Sequence, residues 1–200
     1  ERELRQHYLP GYKACADAGV ASFMTSFNIY DGIPATANKF ILRDILRNEW
    51  QYDGFVISDY TSSYEMIDHK TARDAREVAL QSIVAGLDHE MVSMTYLQHL
   101  EELVISGEIA ESLIDEAVIH MLQFKYQIGL FDDPYRYCDE TREKETIGSP
   151  AIQEGVLDMA RKSIVLLKNE NELLPLKKSG QKIALIGALA NDKTSPLGSW

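Results

Sequence analysis

The sequence predicts an α/β fold in which short buried strands alternate with helices. Three apolar runs, each ending in polar residues, have the composition of parallel strands that are covered on both faces. Between these runs lie segments whose apolar residues recur at helical spacing, with glycines where the segments end. Because both patterns alternate through the first 130 residues, this part of the chain is expected to consist of strand–helix units.

The predicted strands lie in the runs Val20–Asn28, Gly54–Asp59 and Leu87–Met91. Ser62–Glu65 resembles a capping box and predicts a short helix after the second strand. The longer predicted helices cover 1–18 (interrupted at Pro10-Gly11), 38–50, 73–85, 95–106 and 112–129. A complete barrel of eight such units needs about 250 residues, so the three units predict either part of an open sheet or the last part of a barrel.

The composition changes after residue 130, and we expect a domain boundary near 131–150. The charged stretch Asp139–Glu145 has the composition of a loop, and a helix is predicted over 151–161. Ser163–Leu167 and Lys182–Gly187 have the composition of strands in a second unit. Both ends look cut, so the chain is expected to be part of a longer protein.

Charge and hydropathy limit the partners that we expect. A net charge of −11 argues against nucleic acid, which needs a basic face, and is compatible with a neutral ligand such as a sugar. No apolar run approaches the ~18 residues that would predict a membrane span. The chain begins at Glu1 without a recognisable signal peptide, so its cellular location is not predicted from this feature.

Asp59 is the strongest candidate for a catalytic residue. Catalytic groups in parallel α/β folds lie at the carboxyl ends of the strands, and Asp59 ends the most apolar strand. The neighbouring Tyr60 supplies an aromatic face of the kind on which a sugar ring packs. The alternative is that Asp59 caps the next helix, although Thr61, Ser62 and Ser63 are also suited to that role.

The polar residues of the third strand favour a structural role. Alternation places Asp88 and Glu90 on one side of the strand and His89 on the other. Buried, hydrogen-bonded side chains are the expected state, because a metal site would need further ligands at suitable spacing. His99 and His120 lie on predicted helices and are expected to be ordinary surface or edge residues.

Other enzyme chemistries find little support at the strand ends. A Schiff-base aldolase needs a lysine on a strand, and none of the three strands contains one. The loops after the second and third strands lack the glycines of a phosphate-binding loop. Gly187-Ala-Leu-Ala after a predicted strand is only a weak dinucleotide signal, because G-x-G-x-x-G is absent.

Five segments carry a more specific signal, and they occur in the same order as in one enzyme family. These segments are Met24–Asn28, Gly32–Thr36, Gly54-Phe-Val-Ile-Ser-Asp-Tyr60, Ala85–Met91, and Ala160–Asn169 with Leu173–Leu176. Together they resemble family 3 of the glycoside hydrolases over nearly the whole chain. Within that family the likeness is greatest to bacterial periplasmic β-glucosidases.

The resemblance implies a fold and a division into domains. Residues 1–130 would be the C-terminal part of a (β/α)₈ TIM-type barrel, 131–161 a linker and helix, and 162–200 the start of an α/β sandwich domain. The missing N- and C-terminal parts of the same enzyme would be its partners. Three barrel strands leave an open edge, so the chain alone is expected to be inactive and poorly folded.

The resemblance also implies an activity and its residues. The enzyme would remove β-linked glucose from the non-reducing end of glycosides through a covalent intermediate on Asp59, without a cofactor or metal. Tyr60, Phe27 and Met24 would line the first sugar subsite, and cations or hydrogen-bond donors should keep the pKa of Asp59 low. The general acid/base would lie beyond Trp200. A periplasmic or secreted location is implied.

Alternatives remain open at this point. The enzyme would be a β-xylosidase or a β-N-acetylglucosaminidase of the same family, or a non-catalytic carbohydrate-binding relative. The sequence of the apparent second domain counts against the N-acetylglucosaminidase, because such enzymes often have a single domain. The intact Asp59 counts against the non-catalytic relative.

Overall fold

The chain, described for residues 1–198 by a computed structural model, divides into two compact units between Cys138 and Asp139. This division lies within the segment 131–150, where the sequence composition changes. Within the described residues, all paired strands belong to the first unit. The strands are β1 (Ser22–Met24), β2 (Ile29–Tyr30), β3 (Ile33–Pro34) and β4 (Phe55–Ile57).

Three neighbouring parallel segments form the centre of the first unit. β1 pairs with β4 in parallel, with Phe23 opposite Val56, and Ile57 of β4 forms a parallel bridge with His89. The three predicted strand runs therefore lie side by side in chain order, joined by helical crossovers as in a strand–helix barrel. The extended parts are shorter than predicted. β2 and β3 form a separate antiparallel pair in the loop after β1.

Helices surround these strands at the positions that the apolar periodicity predicts. Two segments are π-helical, Leu4–Tyr8 and Phe40–Glu49, and Ala35–Ala37 is a 3₁₀ turn. The α-helices are α1 (Leu9–Asp17), α2 (Ser62–Asp68), α3 (Ala75–Ala85), α4 (Thr95–Ile105) and α5 (Glu111–Gln127). No helix within residues 1–198 is long and apolar enough to cross a bilayer.

Two predictions about helix ends are wrong. The predicted interruption at Pro10-Gly11 is absent: Pro10 lies in the first turn of α1, where a missing N–H costs little. The capping box at Ser62–Glu65 does not form either, since α2 starts after Thr61 without a side-chain cap. Ser62 Oγ instead contacts Thr36 Oγ1 at 3.2 Å, so a tertiary hydrogen bond replaces the local one.

The core of the first unit lies between the central strands and the helices. Val56 of β4 is fully buried. Asp74 caps the start of α3, and Gly86, with a φ of 102°, ends this helix. Full burial of a side chain such as Val56 contributes roughly 1.5–3 kcal/mol. The buried cluster around β4 comprises Leu42, Leu46, Tyr52, Val56, Ala85 and Leu87.

Gly54 allows β4 to start close to its neighbour. A Cβ atom at this position would lie 2.5 Å from the carbonyl oxygen of Ala21 and would also clash with the Tyr52 ring. The glycine is therefore needed for close approach of two backbone segments.

The second unit contains two helices and several irregular segments. The helices are α6 (Glu140–Thr146) and α7 (Pro150–Ser163), and 3₁₀ turns cover Glu170–Glu172, Ala188–Asn191 and Ser195–Leu197. The loop prediction for Asp139–Glu145 is wrong, because Asp139 accepts hydrogen bonds from the backbone of Thr141 and Arg142 and caps α6.

The strands predicted at Ser163–Leu167 and Lys182–Gly187 are also wrong. Ser163 ends α7, and neither run pairs with another strand among the described residues. Leu167 is 91% exposed and Ile186 is 88% exposed. Strand composition alone is insufficient, because an extended segment becomes a strand only by hydrogen bonding to a neighbour.

Candidate active site

The carboxyl ends of the central strands meet at one edge of the first unit. Thr25 N–H, just after β1, donates to Ile57 O at 2.9 Å, and Ser58 N–H donates to His89 O at 2.9 Å. The chain after each strand therefore emerges beside the chain after the next one. This is the edge at which parallel α/β folds place their reacting groups.

Asp59 lies at this edge, two residues after β4, and is half-buried. Its Oδ1 accepts a hydrogen bond from Tyr60 N–H at 2.6 Å. Among residues 1–198, Asp59 forms no ion pair, and no donor contacts its second carboxylate oxygen. The Asp59 carboxylate thus has an oxygen available to a ligand and is not a helix cap for α2.

The other predicted site residues are all exposed at the same end of the strands. Tyr60 and Met24 are each 50% exposed and Phe27 is 43% exposed. Met24 lines a cavity of about 490 Å³ between β1, α1 and the helix Phe40–Glu49, whereas Phe27, Asp59 and Tyr60 do not line it. The described residues therefore provide exposed surfaces near Asp59 but do not enclose a pocket shared by all four.

A chain of buried hydroxyl groups lies beside the Asp59 turn. Thr25 Oγ1 and Thr36 Oγ1 are 3.1 Å apart, and Thr36 Oγ1 and Ser62 Oγ are 3.2 Å apart. All three residues are buried. Ser62 N–H also donates to Asp59 O at 3.1 Å, so the chain of hydroxyls connects β1 to the turn that contains Asp59.

Asp88 has very different surroundings from Asp59. Its side chain is only 4% exposed, and Oδ2 accepts hydrogen bonds from Val56 N–H and Arg47 Nη2, both at 2.7 Å. Oδ1 lies 2.8 Å from His120 Nδ1. Asp88 therefore joins β4, the helix Phe40–Glu49 and α5, and it has no oxygen left for a ligand.

Arg47 completes this buried ionic cluster. Its Nη1 donates to the carbonyl oxygens of Tyr52 and Gly54, at 2.9 and 2.5 Å. Burial lowers the pKa of the Arg47 guanidinium, and the negative charge of Asp88 opposes that effect. Burial likewise raises the pKa of Tyr52 to about 12, so this phenol stays neutral at physiological pH.

Glu90 is the second buried carboxylate of the third strand. Its Oε1 accepts from Thr95 Oγ1 at 2.5 Å and its Oε2 accepts from Tyr96 N–H at 2.7 Å, which satisfies the start of α4. His89, by contrast, is exposed. The prediction of alternating faces with buried, hydrogen-bonded Asp88 and Glu90 is confirmed.

Sequence reasoning missed Arg47, and its expectation that His120 is an ordinary surface or edge residue missed the contact of His120 with Asp88. The His120 side chain is 13% exposed and belongs to the Asp88 cluster. A usable signal existed, because His120 follows Leu113 and Ala117 at helical spacing on the face of α5 that packs inward. The interpretation of His99 as a helix residue is confirmed, and its ring contacts Glu102 at 3.1 Å.

The acidic, histidine and cysteine side chains of residues 1–198 form no group of three or more that would hold a metal ion. Cys15 and Cys138 are both exposed and free. At this edge the carboxylate of Asp59 lies close in sequence to the exposed aromatic side chain of Tyr60.

Comparison with known proteins agrees with this arrangement. Residues 1–124 match the model of the glycosyl hydrolase family 3 N terminal domain, and residues 164–200 match that of the family 3 C-terminal domain. The chain belongs to glycoside hydrolase family 3. The predicted fold class is thereby confirmed: the chain contains the C-terminal part of the family's α/β barrel and the start of its second domain.

Several family 3 relatives have known activities. The chain is 38% identical over its whole length to a periplasmic β-glucosidase of Salmonella typhimurium, and it covers 26% of that protein. It is 34% identical to a β-xylosidase of Formosa agariphila, again over its whole length, and covers 29% of that protein. The crystal structure of a Listeria innocua β-glucosidase superposes with a TM-score of 0.77 and 44% identity over 88% of the chain and 24% of that enzyme.

The chain thus spans about a quarter of the length of these family 3 relatives. The family assignment applies to the chain itself. The activity, the substrate and the remaining residues of the active site depend on the longer protein.

Proposed function

We propose that the chain is the nucleophile-bearing part of a longer retaining β-glycosidase that releases glucose from the non-reducing end of glycosides. The observation that carries the proposal is the contrast between Asp59, which retains an accessible carboxylate oxygen, and Asp88 and Glu90, whose oxygens are occupied by protein donors. The similarity to β-glucosidases of Salmonella typhimurium and Listeria innocua supports the choice of sugar.

The reaction proceeds in two displacements. A carboxylate oxygen of Asp59 bonds to the anomeric carbon while the bond to the leaving-group oxygen breaks, and an acid/base carboxyl group protonates that oxygen. Water then attacks the same carbon, loses its proton to the acid/base and releases Asp59 as a carboxylate. The two carboxyl groups should lie about 5–5.5 Å apart, as in other retaining enzymes.

The remaining roles rest on the family resemblance, and the exposure of these side chains at the strand ends supports them. Tyr60 provides an aromatic platform for the sugar, and Phe27 and Met24 border the same subsite. We assign the acid/base to a segment beyond Trp200.

The domain boundaries are part of the same proposal. Residues 1–130 complete a barrel with upstream strands, 131–161 link the domains, and 162–200 begin a sandwich domain. The N- and C-terminal parts of the enzyme are thus partners that the chain requires. A periplasmic or secreted location is supported by the periplasmic relative alone.

A covalent label tests the proposed nucleophile and sugar together. The full-length enzyme is treated with a 2-deoxy-2-fluoro-β-glucoside that has a good leaving group, and the adduct is mapped by peptide mass spectrometry. We expect a fluoroglucosyl group on Asp59 and none in Asp59→Asn. A label on another carboxylate would remove Asp59 from the proposal.

A second candidate is a β-xylosidase, favoured by the Formosa agariphila relative. The matched 2-deoxy-2-fluoro-β-xyloside decides between the two sugars. Faster trapping by the xyloside would assign the enzyme to that activity. Absence of labelling by either sugar would favour the non-catalytic relative or a different sugar specificity.

A further inference from the structure

Ser58 is a fully buried polar residue directly before Asp59, with no role in the proposed chemistry. Its Oγ accepts a hydrogen bond from Met91 N–H at 2.8 Å and lies 3.0 Å from Asp59 O, to which its proton is donated. The relative exposure of Ser58 is 0%. The hydroxyl therefore has both a donor and an acceptor partner in a site that excludes water.

Met91 is held from a second side by the residue after Tyr60. Thr61 N–H donates to Met91 O at 3.0 Å, with Thr61 in the left-handed region at φ 57°. The chain around Asp59 is thus fixed to one residue of the neighbouring strand run at two points, before and after the carboxylate. We call this pair of hydrogen bonds the Met91 staple.

The staple differs from the other links between the strands because one of its two bonds depends on a side chain. Thr25 and Ser58 form backbone–backbone bonds to Ile57 and His89 that persist under substitution. The Ser58 hydroxyl is the one side-chain group among the described residues that holds Met91 N–H. Its removal would leave the part-buried Met91 N–H without its acceptor, and the local backbone would have to move to find another.

We propose that Ser58 is a positioning residue that sets the place of the Asp59 carboxylate through the Met91 staple. This inference rests on the proposed role of Asp59 as nucleophile. In-line attack needs reacting atoms about 3–3.5 Å apart, and a displacement of 1 Å costs about 100-fold in rate. Ser58 does not touch the sugar, so the loss falls on bond formation rather than on binding.

Ser63 provides a matched control. It is also 0% exposed, it lies in the helix that follows Asp59, and its Oγ has no hydrogen-bond partner among the described residues. Ser58→Ala and Ser63→Ala remove the same atom from equally buried sites. Only the first removes a link to Met91.

The test uses the full-length enzyme and saturation kinetics of trapping by the 2-deoxy-2-fluoro-β-glucoside. For Ser58→Ala we expect the maximal trapping rate to fall about 100-fold, with the half-saturating concentration changed less than about threefold. Ser63→Ala should change neither value by more than about threefold. If Ser58→Ala does not fold, Ser58→Cys, whose thiol is a weaker acceptor, should lose about tenfold in the same rate.

Equal maximal trapping rates in Ser58→Ala and Ser63→Ala would overturn the inference. So would parallel losses in rate and binding, which indicate a collapsed site. The unmodified enzyme distinguishes failure of this inference from failure of the proposed function. If the proposed function is wrong, the unmodified enzyme gives no label on Asp59.

Discussion

Asp59 and Asp88 are carried by neighbouring parallel strand runs, yet their carboxylates have opposite surroundings. Asp88 is 4% exposed in its side chain and contacts Val56 N–H, Arg47 and His120. Asp59 is half-buried, and the one hydrogen bond that its carboxylate forms within residues 1–198 comes from the N–H of Tyr60. Protein donors occupy both oxygens of the Asp88 carboxylate, whereas the Asp59 carboxylate keeps one oxygen accessible.

The comparison places a carboxylate that is saturated by protein donors beside the carboxylate that we propose as the nucleophile. Both carboxylate oxygens of Asp88 already have protein partners, which leaves this side chain poorly placed to bind a substrate. Asp59 gains little from its neighbours and remains able to form a bond. Under the proposed function, burial depth along adjacent strands separates the structural carboxylate of Asp88 from the proposed nucleophile Asp59.

The sharpest way to break this comparison is to neutralise Asp59. Asp59→Asn should lower kcat in the full-length enzyme on the order of 10⁴-fold, since an amide is a poor nucleophile. The midpoint of thermal unfolding should stay within about 1 °C, because only one local hydrogen bond is altered. A large drop in this midpoint would place Asp59 in the structural class with Asp88.

The opposite result is expected when the saturated cluster is broken. Arg47→Ala leaves Asp88 buried with one cation partner removed, so the free energy of unfolding should fall by about 3–5 kcal/mol. Denaturant titration of the full-length enzyme measures this change. Any variant that folds at low temperature should still become labelled on Asp59, and loss of the label in a folded variant would contradict the separation of roles.

A smaller effect is expected at the other buried carboxylate. Glu90→Gln keeps one acceptor for Thr95 or Tyr96 and loses the charge at the start of α4. We expect the free energy of unfolding to fall by about 1–2 kcal/mol, measured in the same titration. A loss as large as that of Arg47→Ala would show that Glu90 belongs to the same ionic cluster.

The smallest effect is expected at an exposed ion pair. Arg76 bonds to Glu102 and Glu108 at the surface, where water and salt screen the charges. Arg76→Ala should shift the unfolding midpoint by less than about 1 °C. It is the matched control for Arg47→Ala, because both remove an arginine with acidic partners and differ in burial.

Local patterns predict much of the first unit. Helical spacing of apolar residues, including Ile45 and Leu46, places the helix Phe40–Glu49 to within two residues at its start. Alternation correctly separates Asp88 and Glu90 from His89. The position of Asp59 at a strand end also follows from the sequence, because an apolar strand with a polar terminus is a local signal.

Contacts between distant segments are what the patterns miss. Arg47 and His120 are 73 residues apart, and only the folded chain brings them to Asp88. Ser62 bonds to Thr36 rather than capping its own helix. The apolar run Ser163–Leu167 fails as a strand for the same reason, since pairing depends on a partner that no local pattern specifies.

Gly54 places a limit on how this part of the enzyme can vary. Because a side chain at position 54 would collide with the Ala21 carbonyl oxygen, any change there must spread apart the two strands whose ends carry the site. Position 54 should therefore be left as glycine in mutational libraries that aim to alter specificity. Tyr60 and Phe27, which we propose to border the sugar, are exposed, so substitutions there can test sugar preference without moving the strands.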